Sequence, residues 1–239
     1  MTNFDFFAPF HAWSFLLKGF LFTVEITVVA AIGGMVLGTA LALCRLSKSR
    51  PLSWFALSYV TLMRSIPLIL VIFWIFFFVP VGLGLLYGRP VPVGANATIY
   101  ITFVLFEAAY FAEIVRSGLQ SIPRGQYEAA KALGMRPSMV FRLVILPQLV
   151  RNTMPVLLTQ TIILFQDTSL VYVISAIDFV GAATKIGQRD GKLIEMYCTV
   201  GVVYFVICYG ASNLVKVLSG NRAITAKRAL AAVESKPGL

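Results

Sequence analysis

The sequence predicts an all-α membrane protein with five transmembrane helices, its N-terminus outside the cell (periplasmic) and its C-terminus in the cytoplasm. Of its 239 residues, 59% are hydrophobic and 13% are charged, about half of the roughly 25% that is usual in globular proteins. So few charges could not cover a soluble domain, and a disordered chain would be far more polar. The net charge of +10 is typical of cytoplasmic loops rather than of nucleic-acid binding, because such loops collect Lys and Arg.

The five spans are predicted where about 20 mostly apolar residues follow one another, the length that a helix needs to cross a bilayer. The first ends at a basic stop before Pro51, and the glycines and prolines from Gly82 to Gly94 predict a loop after the second. The predicted spans are 20–43, 54–79, 95–115, 153–177 and 196–215.

The orientation follows from the distribution of Lys and Arg, which collect on the cytoplasmic side of membrane proteins. Four or five lie on the predicted outer side, and these are Arg89, Lys185, Arg189 and Lys192, with Lys18 at the border. Fourteen lie on the opposite side, and these are Arg45, Lys48, Arg50, Arg116, Arg124, Lys131, Arg136, Arg142, Arg151, Lys216, Arg222, Lys227, Arg228 and Lys236. The loop between the third and fourth spans is therefore predicted to be cytoplasmic.

That cytoplasmic loop, at about 121–150, is predicted to form two short helices with a sharp turn between them. Pro123 and Pro137 suit helix starts, where a missing N–H costs nothing. Gly134 suits the left-handed position just after a helix end, and Pro147 is expected to end the second helix. Helices this short are marginal alone in water, so the loop must pack on the bilayer surface, on the membrane core or on a partner.

The same loop resembles the EAA loop of ABC-importer permeases. Glu128-Ala-Ala is followed by Gly134 and then by Ile145-Leu-Pro, in the order that this family shows. In the family the loop docks into a cleft of the ATP-binding subunit. The resemblance therefore implies an ATPase-coupling role for Glu128, Ala129, Ala130, Gly134, Ile145, Leu146 and Pro147.

The resemblance extends over about residues 15–217 and narrows the family. Arg64-Ser-Ile-Pro-Leu is similar to the Arg-Gly-Thr-Pro-Leu element of these permeases, and the stretch from Tyr110 into the loop is similar to polar-amino-acid permeases of the histidine/glutamine type. Gln166-Asp-Thr-Ser-Leu resembles their Lys-Asp-Thr-Ser-Leu, with Gln in place of Lys. Leu164-Phe-Gln-Asp-Thr-Ser-Leu and Ile186-Gly-Gln-Arg-Asp-Gly look most similar to glutamate/aspartate permeases. The resemblance implies that residues 1–239 form a single permease domain with the ABC type I importer fold, in the bacterial inner membrane.

The implied partners follow from what the chain lacks. Nothing in the sequence reads G-x-x-x-x-G-K-[ST], so ATP and Mg are expected on a separate ATP-binding subunit dimer. Five spans are few for a path, so a second permease, either a copy or a related chain, is expected beside this one. A periplasmic amino-acid-binding protein and membrane lipid complete the expected partners. We expect no catalytic residue and no cofactor in this chain. We also expect no disulfide or zinc site, because the spacing of its three cysteines is not that of metal ligands or of a disulfide framework.

Polar residues inside the predicted spans are candidates for a translocation path, because ionisable groups at membrane depth are costly and usually face the bundle interior. The candidates are Glu107, Gln160, Gln166, Asp167, Thr168 and Ser169. Asp167-Thr-Ser could also interrupt the fourth helix. The alternative for Glu107 is a structural hydrogen bond, and that for the others is a polar contact between helices. Glu113 and Arg116 have the spacing of a helical ion pair.

Other functions remain open at this stage. The first alternative is a permease for another polar or a basic amino acid. An ion-gradient-driven secondary transporter would be expected to show inverted repeats, which are not evident in the sequence. A membrane-embedded enzyme would need a constellation of catalytic side chains, and the chain has one histidine, His11. A structural membrane adaptor is the last alternative.

Overall fold

The computed structural model describes residues 11–234, and that part of the chain is helical, without β-strands. The chain forms eight longer α-helices in that range. They are α1 (Trp13–Arg45), α2 (Arg50–Ser65), α3 (Leu68–Tyr87), α4 (Ala95–Gln120), α5 (Arg124–Ala132), α6 (Leu146–Asp167), α7 (Phe179–Asp190) and α8 (Leu193–Glu234). Among the tail cations, the side chains of Arg222, Lys227, Arg228 and Lys236 lie outside the described part.

Five helical segments of residues 11–234 are long and apolar enough to cross a membrane, which confirms the predicted number. They are Trp13–Arg45, Leu68–Tyr87, Ala95–Gln120, Pro137–Ile174 and Leu193–Ser219. The first, third and fifth contain the predicted spans and extend them by a few residues. The second and fourth differ from prediction, and proline explains both differences.

The second predicted span, 54–79, was wrong in both of its limits. The chain breaks between α2 and α3, where Ile66 is extended (φ −114°, ψ 135°) immediately before Pro67. Proline disfavours the helical conformation of the residue before it, so the helix must stop there. The helix then runs through Gly82, which was predicted to lie in a loop, and ends at Gly88 in the left-handed conformation (φ 64°). Glycine is tolerated in helices within a bilayer, because no water competes for the backbone hydrogen bonds.

The fourth predicted span, 153–177, begins too late. Pro147 does not end a short helix but lies in the first turn of α6, which a six-residue π-helix, Val140–Ile145, joins to the short helix Pro137–Met139. A proline inside a regular α-helix would clash with the carbonyl four residues earlier. The wider π turn immediately before Pro147 relieves that conflict, so the chain stays helical from residue 137 to residue 167.

The predicted interruption at Asp167-Thr-Ser is present. The α-helix ends at Asp167, a 3₁₀-helix follows over Thr168–Ile174, and Ser175 takes the left-handed conformation (φ 63°). Hydroxyl and carboxyl groups compete for backbone hydrogen bonds in this way: the Thr168 hydroxyl donates to the Phe165 carbonyl at 2.7 Å.

The core of the bundle is the contact between α1 and α4, the most extensive helix pair in the described part. Two glycines of α1 make it possible. A Cβ on Gly34 would lie 2.9 Å from the Cβ of Glu107, and one on Gly38 would lie 2.7 Å from the Ala108 carbonyl oxygen. Small residues four apart let helices in a membrane approach closely. This close approach fixes the depth at which α4 presents Glu107.

The first turns of α1 hold α7 and the start of α8. Leu16, Phe179 and Met196 are buried together there, and the Thr23 hydroxyl accepts a hydrogen bond from the Phe179 N–H at 3.1 Å. Asp178 caps α7 by accepting from the N–H groups of residues 180 and 181. Burial raises the pKa of Asp178 to about 6, and the two N–H donors oppose that rise. The opposite end of α1 lies about 50 Å away at 1.5 Å per residue, where Arg45 pairs with Glu113 on α4.

Candidate functional site

The first part of the candidate site is α5, a nine-residue helix on the surface of the chain. Glu128 and Ala129 are exposed, whereas Ala130 is 5% exposed and faces the rest of the molecule. Ala130 therefore holds the helix in place and Glu128 is presented outward. Among the side chains described within residues 11–219, none forms an ion pair with Glu128, so its carboxylate is available to a partner.

The turn after α5 has the predicted left-handed glycine. Gly134 has φ 74°, its N–H donates to the Lys131 carbonyl at 2.9 Å, and the Met135 N–H donates to the Ala130 carbonyl at 3.2 Å. These bonds satisfy carbonyls that the end of a helix otherwise leaves unpaired. The turn thereby sets the angle between α5 and the segment that leads into α6.

Two amides tie this loop to α6. The Gln148 side chain donates to the Val144 carbonyl at 2.9 Å and to the Gln126 side chain at 3.4 Å. The Asn152 amide donates to the Ser121 hydroxyl at 3.1 Å. These hydrogen bonds connect the loop to α6, the helix that carries Gln160 and Asp167.

An exposed apolar side chain beside the turn was not predicted. Leu133 is 82% exposed, and Tyr127 on α5 is 46% exposed. Of the predicted loop residues, Ile145 is half-buried and lines a cavity of about 300 Å³ behind α5, while Leu146 and Pro147 are exposed. The apolar Leu133 next to Gly134 was the available signal, because a solvent-facing turn favours polar residues. Exposed leucine and tyrosine beside a free carboxylate form a surface suited to a protein partner.

The second part of the candidate site is a polar strip inside the bundle. Glu107 on α4 is fully buried, and the Gln160 amide on α6 donates to its two carboxylate oxygens at 3.1 and 3.4 Å. Asp167 is half-buried and lies two helical turns after Gln160 on the same side of α6. The structure thus brings two of the six predicted path residues, Glu107 and Gln160, into contact from two helices.

The other three predicted path residues are arranged differently. Thr168 is buried and bonded within its own helix, Ser169 is half-buried, and Gln166 is exposed on the surface of this chain. Gln166 therefore does not face the Glu107–Gln160 pair. In a membrane an exposed glutamine faces lipid or a neighbouring protein, and lipid offers it no hydrogen bond.

A charged cluster lies between the polar strip and the loop. Glu113 on α4 pairs with Arg116, as its spacing predicted, and also with Arg45 at the end of α1. The Arg64 guanidinium is 3.9 Å from Glu113 and lies over the Tyr110 ring at 5.5 Å from its centroid. One carboxylate thus joins three helices, and the cluster keeps an excess of positive charge. Arg45 and Arg64 are 68 and 49 residues from Glu113 in sequence, too far for spacing to predict the contact.

Comparison with known families places the whole core of the chain in one of them. Residues 34–221 match the model of a family described as the binding-protein-dependent transport system inner membrane component. The matched range includes the 121–150 loop, the polar strip and the charged cluster.

Individual proteins give the same result. The chain is 47% identical over 219 residues to the glutamate/aspartate import permease protein GltK of Escherichia coli O6:H1, covering 91% of this chain and 98% of that one. It is 34% identical over 205 residues to the arginine transport system permease protein ArtQ of Bacillus subtilis, covering 86% and 91%. A crystal structure of an amino acid ABC transporter with histidines matches with a TM-score of 0.82 and 28% identity, covering 92% of this chain and all of that one.

Proposed function

The chain belongs to the family of binding-protein-dependent transport system inner membrane components, and we propose that this permease subunit of an ABC importer carries glutamate and aspartate into the cell. The observation that carries the proposal is the 47% identity, over nearly its whole length, to a permease named for those two substrates. The identity to the arginine permease is lower, at 34%. The polar and the charged residues of the site lie within the shared region.

ATP hydrolysis belongs to a partner in this proposal. The exposed α5 helix, with Glu128 beside Leu133, suits a cleft that offers cations around an apolar pocket. A carboxylate that accepts hydrogen bonds from a cation gains about 1.5–3 kcal/mol per bond when the bond is well formed. ATP and Mg are bound by the ATP-binding subunit dimer, and the loop passes its movement to α6 through Gln148.

A second permease completes the translocation path. Gln166 is exposed on this chain, and a polar side chain at membrane depth needs a hydrogen-bonding neighbour or water. A second permease, of the same or a related sequence, would enclose Gln166 and Ser169 between the two subunits. The periplasmic amino-acid-binding protein delivers the substrate to that path.

The polar strip suits the part of the substrate that all amino acids share. Glu107 and Asp167 are acidic, so they attract the substrate's ammonium group and repel its carboxylates. The strip therefore does not by itself favour an acidic amino acid. In this proposal the external binding protein sets most of the substrate selectivity, and the permease supplies a path lined with polar side chains.

Uptake by a deletion strain tests the proposal. Removing this chain should reduce high-affinity uptake of glutamate and aspartate, and the intact gene supplied on a plasmid should restore it. Uptake of arginine serves as the internal control and should not change. If acidic uptake is unchanged while uptake of a basic or another polar amino acid is lost, the family assignment stands and the proposed substrate is wrong.

A further inference from the structure

A basic pocket lies at the end of the bundle opposite the 121–150 loop. His11 lies just before α1, the first turn of α1 supplies Ser14 and Phe15, and the C-terminal turns of α7 supply Lys185 and Arg189. The pocket has a volume of about 320 Å³, space for about ten water molecules. We call this feature the outer pocket. Its lining combines the apolar side chains of Ala12, Phe15 and Ile186 with the cations Lys185 and Arg189, which we call its rim.

The position of the outer pocket follows from the two ends of α1. Arg45, the last residue of α1, pairs with Glu113 near the 121–150 loop. The pocket contains Ser14, in the first turn of the same helix, and His11 just before it. The two sites therefore lie about 50 Å apart along α1. With the ATPase on the loop side, the outer pocket faces the periplasm.

The charge of the outer pocket is unevenly balanced. Lys185 is exposed, and Arg189 is largely exposed with one partner among the described pairs, the neighbouring Asp190. Lys18 is exposed one turn after Ser14 on the same side of α1. No Asp or Glu is among the described lining residues. The rim thus offers cationic donors that a carboxylate-bearing surface would complement.

The second cavity described at this end of the bundle is of another kind. It lies at the α3–α4 connection, has a volume of about 610 Å³, and is lined by Pro, Val, Leu and Gly residues with Arg89 as its one described charge. Such an apolar lining suits lipid or another hydrophobic helix. The outer pocket, which has two cations in its lining, is therefore a better candidate than the apolar cavity for contact with a soluble protein.

From this arrangement we propose that the outer pocket receives acidic side chains of the periplasmic binding protein when it docks on the permease. The inference rests on the proposed function, because it requires an importer that works with an external binding protein. The cations of α7 and α1 would steer and orient the incoming protein through complementary charge. Since α7 packs on α1 and α8, docking there contacts α1, one of the two helices that form the core.

The test uses the whole transporter, with its ATPase and second permease, reconstituted in nanodiscs. The variable is the concentration of binding protein that half-saturates the stimulation of ATP hydrolysis. For the double variant Lys185→Glu/Arg189→Glu we expect this concentration to rise at least about tenfold, because like charges replace attraction across the interface. The maximal rate at saturating binding protein should stay near that of the wild type. Arg89→Glu reverses one charge outside the pocket, as each of the two substitutions does inside it, and should leave the half-saturating concentration unchanged.

The milder variant Lys185→Gln guards against misfolding and should give a smaller rise. Raising the salt concentration should weaken the wild-type response more than that of the double variant. A double variant with the half-saturating concentration of Arg89→Glu would overturn the proposal. So would a defect that appears only in nanodiscs with anionic lipid, because it would assign the pocket to lipid headgroups. If the wild-type transporter itself shows no stimulation by binding protein, the proposed function fails instead.

Discussion

Glu107, which is buried, and Gln160, which is half-buried, form a polar pair whose role in transport can be separated from its contribution to stability. The pair joins α4 to α6 through the Gln160 amide, and Gly34 of α1 packs against Glu107. A buried acceptor that loses its donor costs about 1–3 kcal/mol, whereas replacing both partners by apolar groups can be nearly neutral. Stability and transport should therefore respond differently to single and double substitution.

The first prediction uses that difference. Gln160→Leu should lower the free energy of unfolding by about 1–3 kcal/mol, because the Glu107 carboxylate is left without its donor. The double variant Glu107→Leu/Gln160→Leu should recover most of that stability but should not recover glutamate uptake. Thermal unfolding in detergent and uptake in cells measure the two effects. Recovery of both would assign the pair a structural role and remove it from the translocation path.

The second prediction concerns Glu128 on the exposed face of α5. Glu128→Lys should leave an inserted protein that loses the ATPase and transports nothing. The reason is that the lysine ammonium would repel the cation of the ATPase with which the Glu128 carboxylate forms a charge-assisted hydrogen bond. The measurement is the amount of ATPase that copurifies with the permease. Lys131→Ala, on the same helix, is the control and should retain the ATPase. Wild-type copurification and uptake with Glu128→Lys would show that α5 is an ordinary solvated loop.

At the scale of the element, local rules predicted the loop well and the membrane helices less well. Gly134 and Pro123 lie where their backbone preferences place them, since such preferences depend on neighbouring residues alone. Pro147 was wrongly predicted to end a helix. The π-helix before it lets the chain stay helical through the proline, and residue order does not predict where a π-helix forms. Gln166 was predicted to line the path from its residue type, and its position there depends on packing with a second subunit, which residue order does not show.

The third prediction tests the turn that Gly134 makes. Gly134→Val should reduce ATPase copurification and transport, because a side chain at positive φ costs about 1 kcal/mol or more and a branched one costs most. Gly134→Asn is the matched control, because Asn tolerates the left-handed conformation. No atom lies within 4 Å of a Cβ added at Gly134, so steric overlap would not confuse the result. Equal loss in both variants would contradict the conformational explanation.

At the scale of the whole molecule, α1 runs the length of the bundle, and a different proposed site lies at each of its ends. The loop and the charged cluster lie beside Arg45, and the outer pocket lies beside His11. The number of spans could be predicted because apolar length is a property of single segments. The joining of Arg45, Arg64 and Glu113 could not, because it depends on how three helices meet.

The fourth prediction concerns topology. With the native cysteines replaced, Arg89→Cys should react with a membrane-impermeant maleimide in intact cells, because the count of Lys and Arg places it outside. Lys131→Cys should react only after the cells are disrupted. Both side chains are exposed, so accessibility within the protein is not the variable. Reaction of both only after disruption would contradict the five-span orientation.

The central claim, that this chain is the membrane path of an ATP-driven importer for acidic amino acids, is tested most directly in proteoliposomes. The vesicles contain the chain with its second permease and ATPase, and binding protein and radiolabelled glutamate are added outside. We predict glutamate accumulation that requires ATP inside, persists when ionophores collapse the ion gradients, and disappears with Glu128→Lys. Accumulation that follows an imposed ion gradient without ATP would contradict the claim.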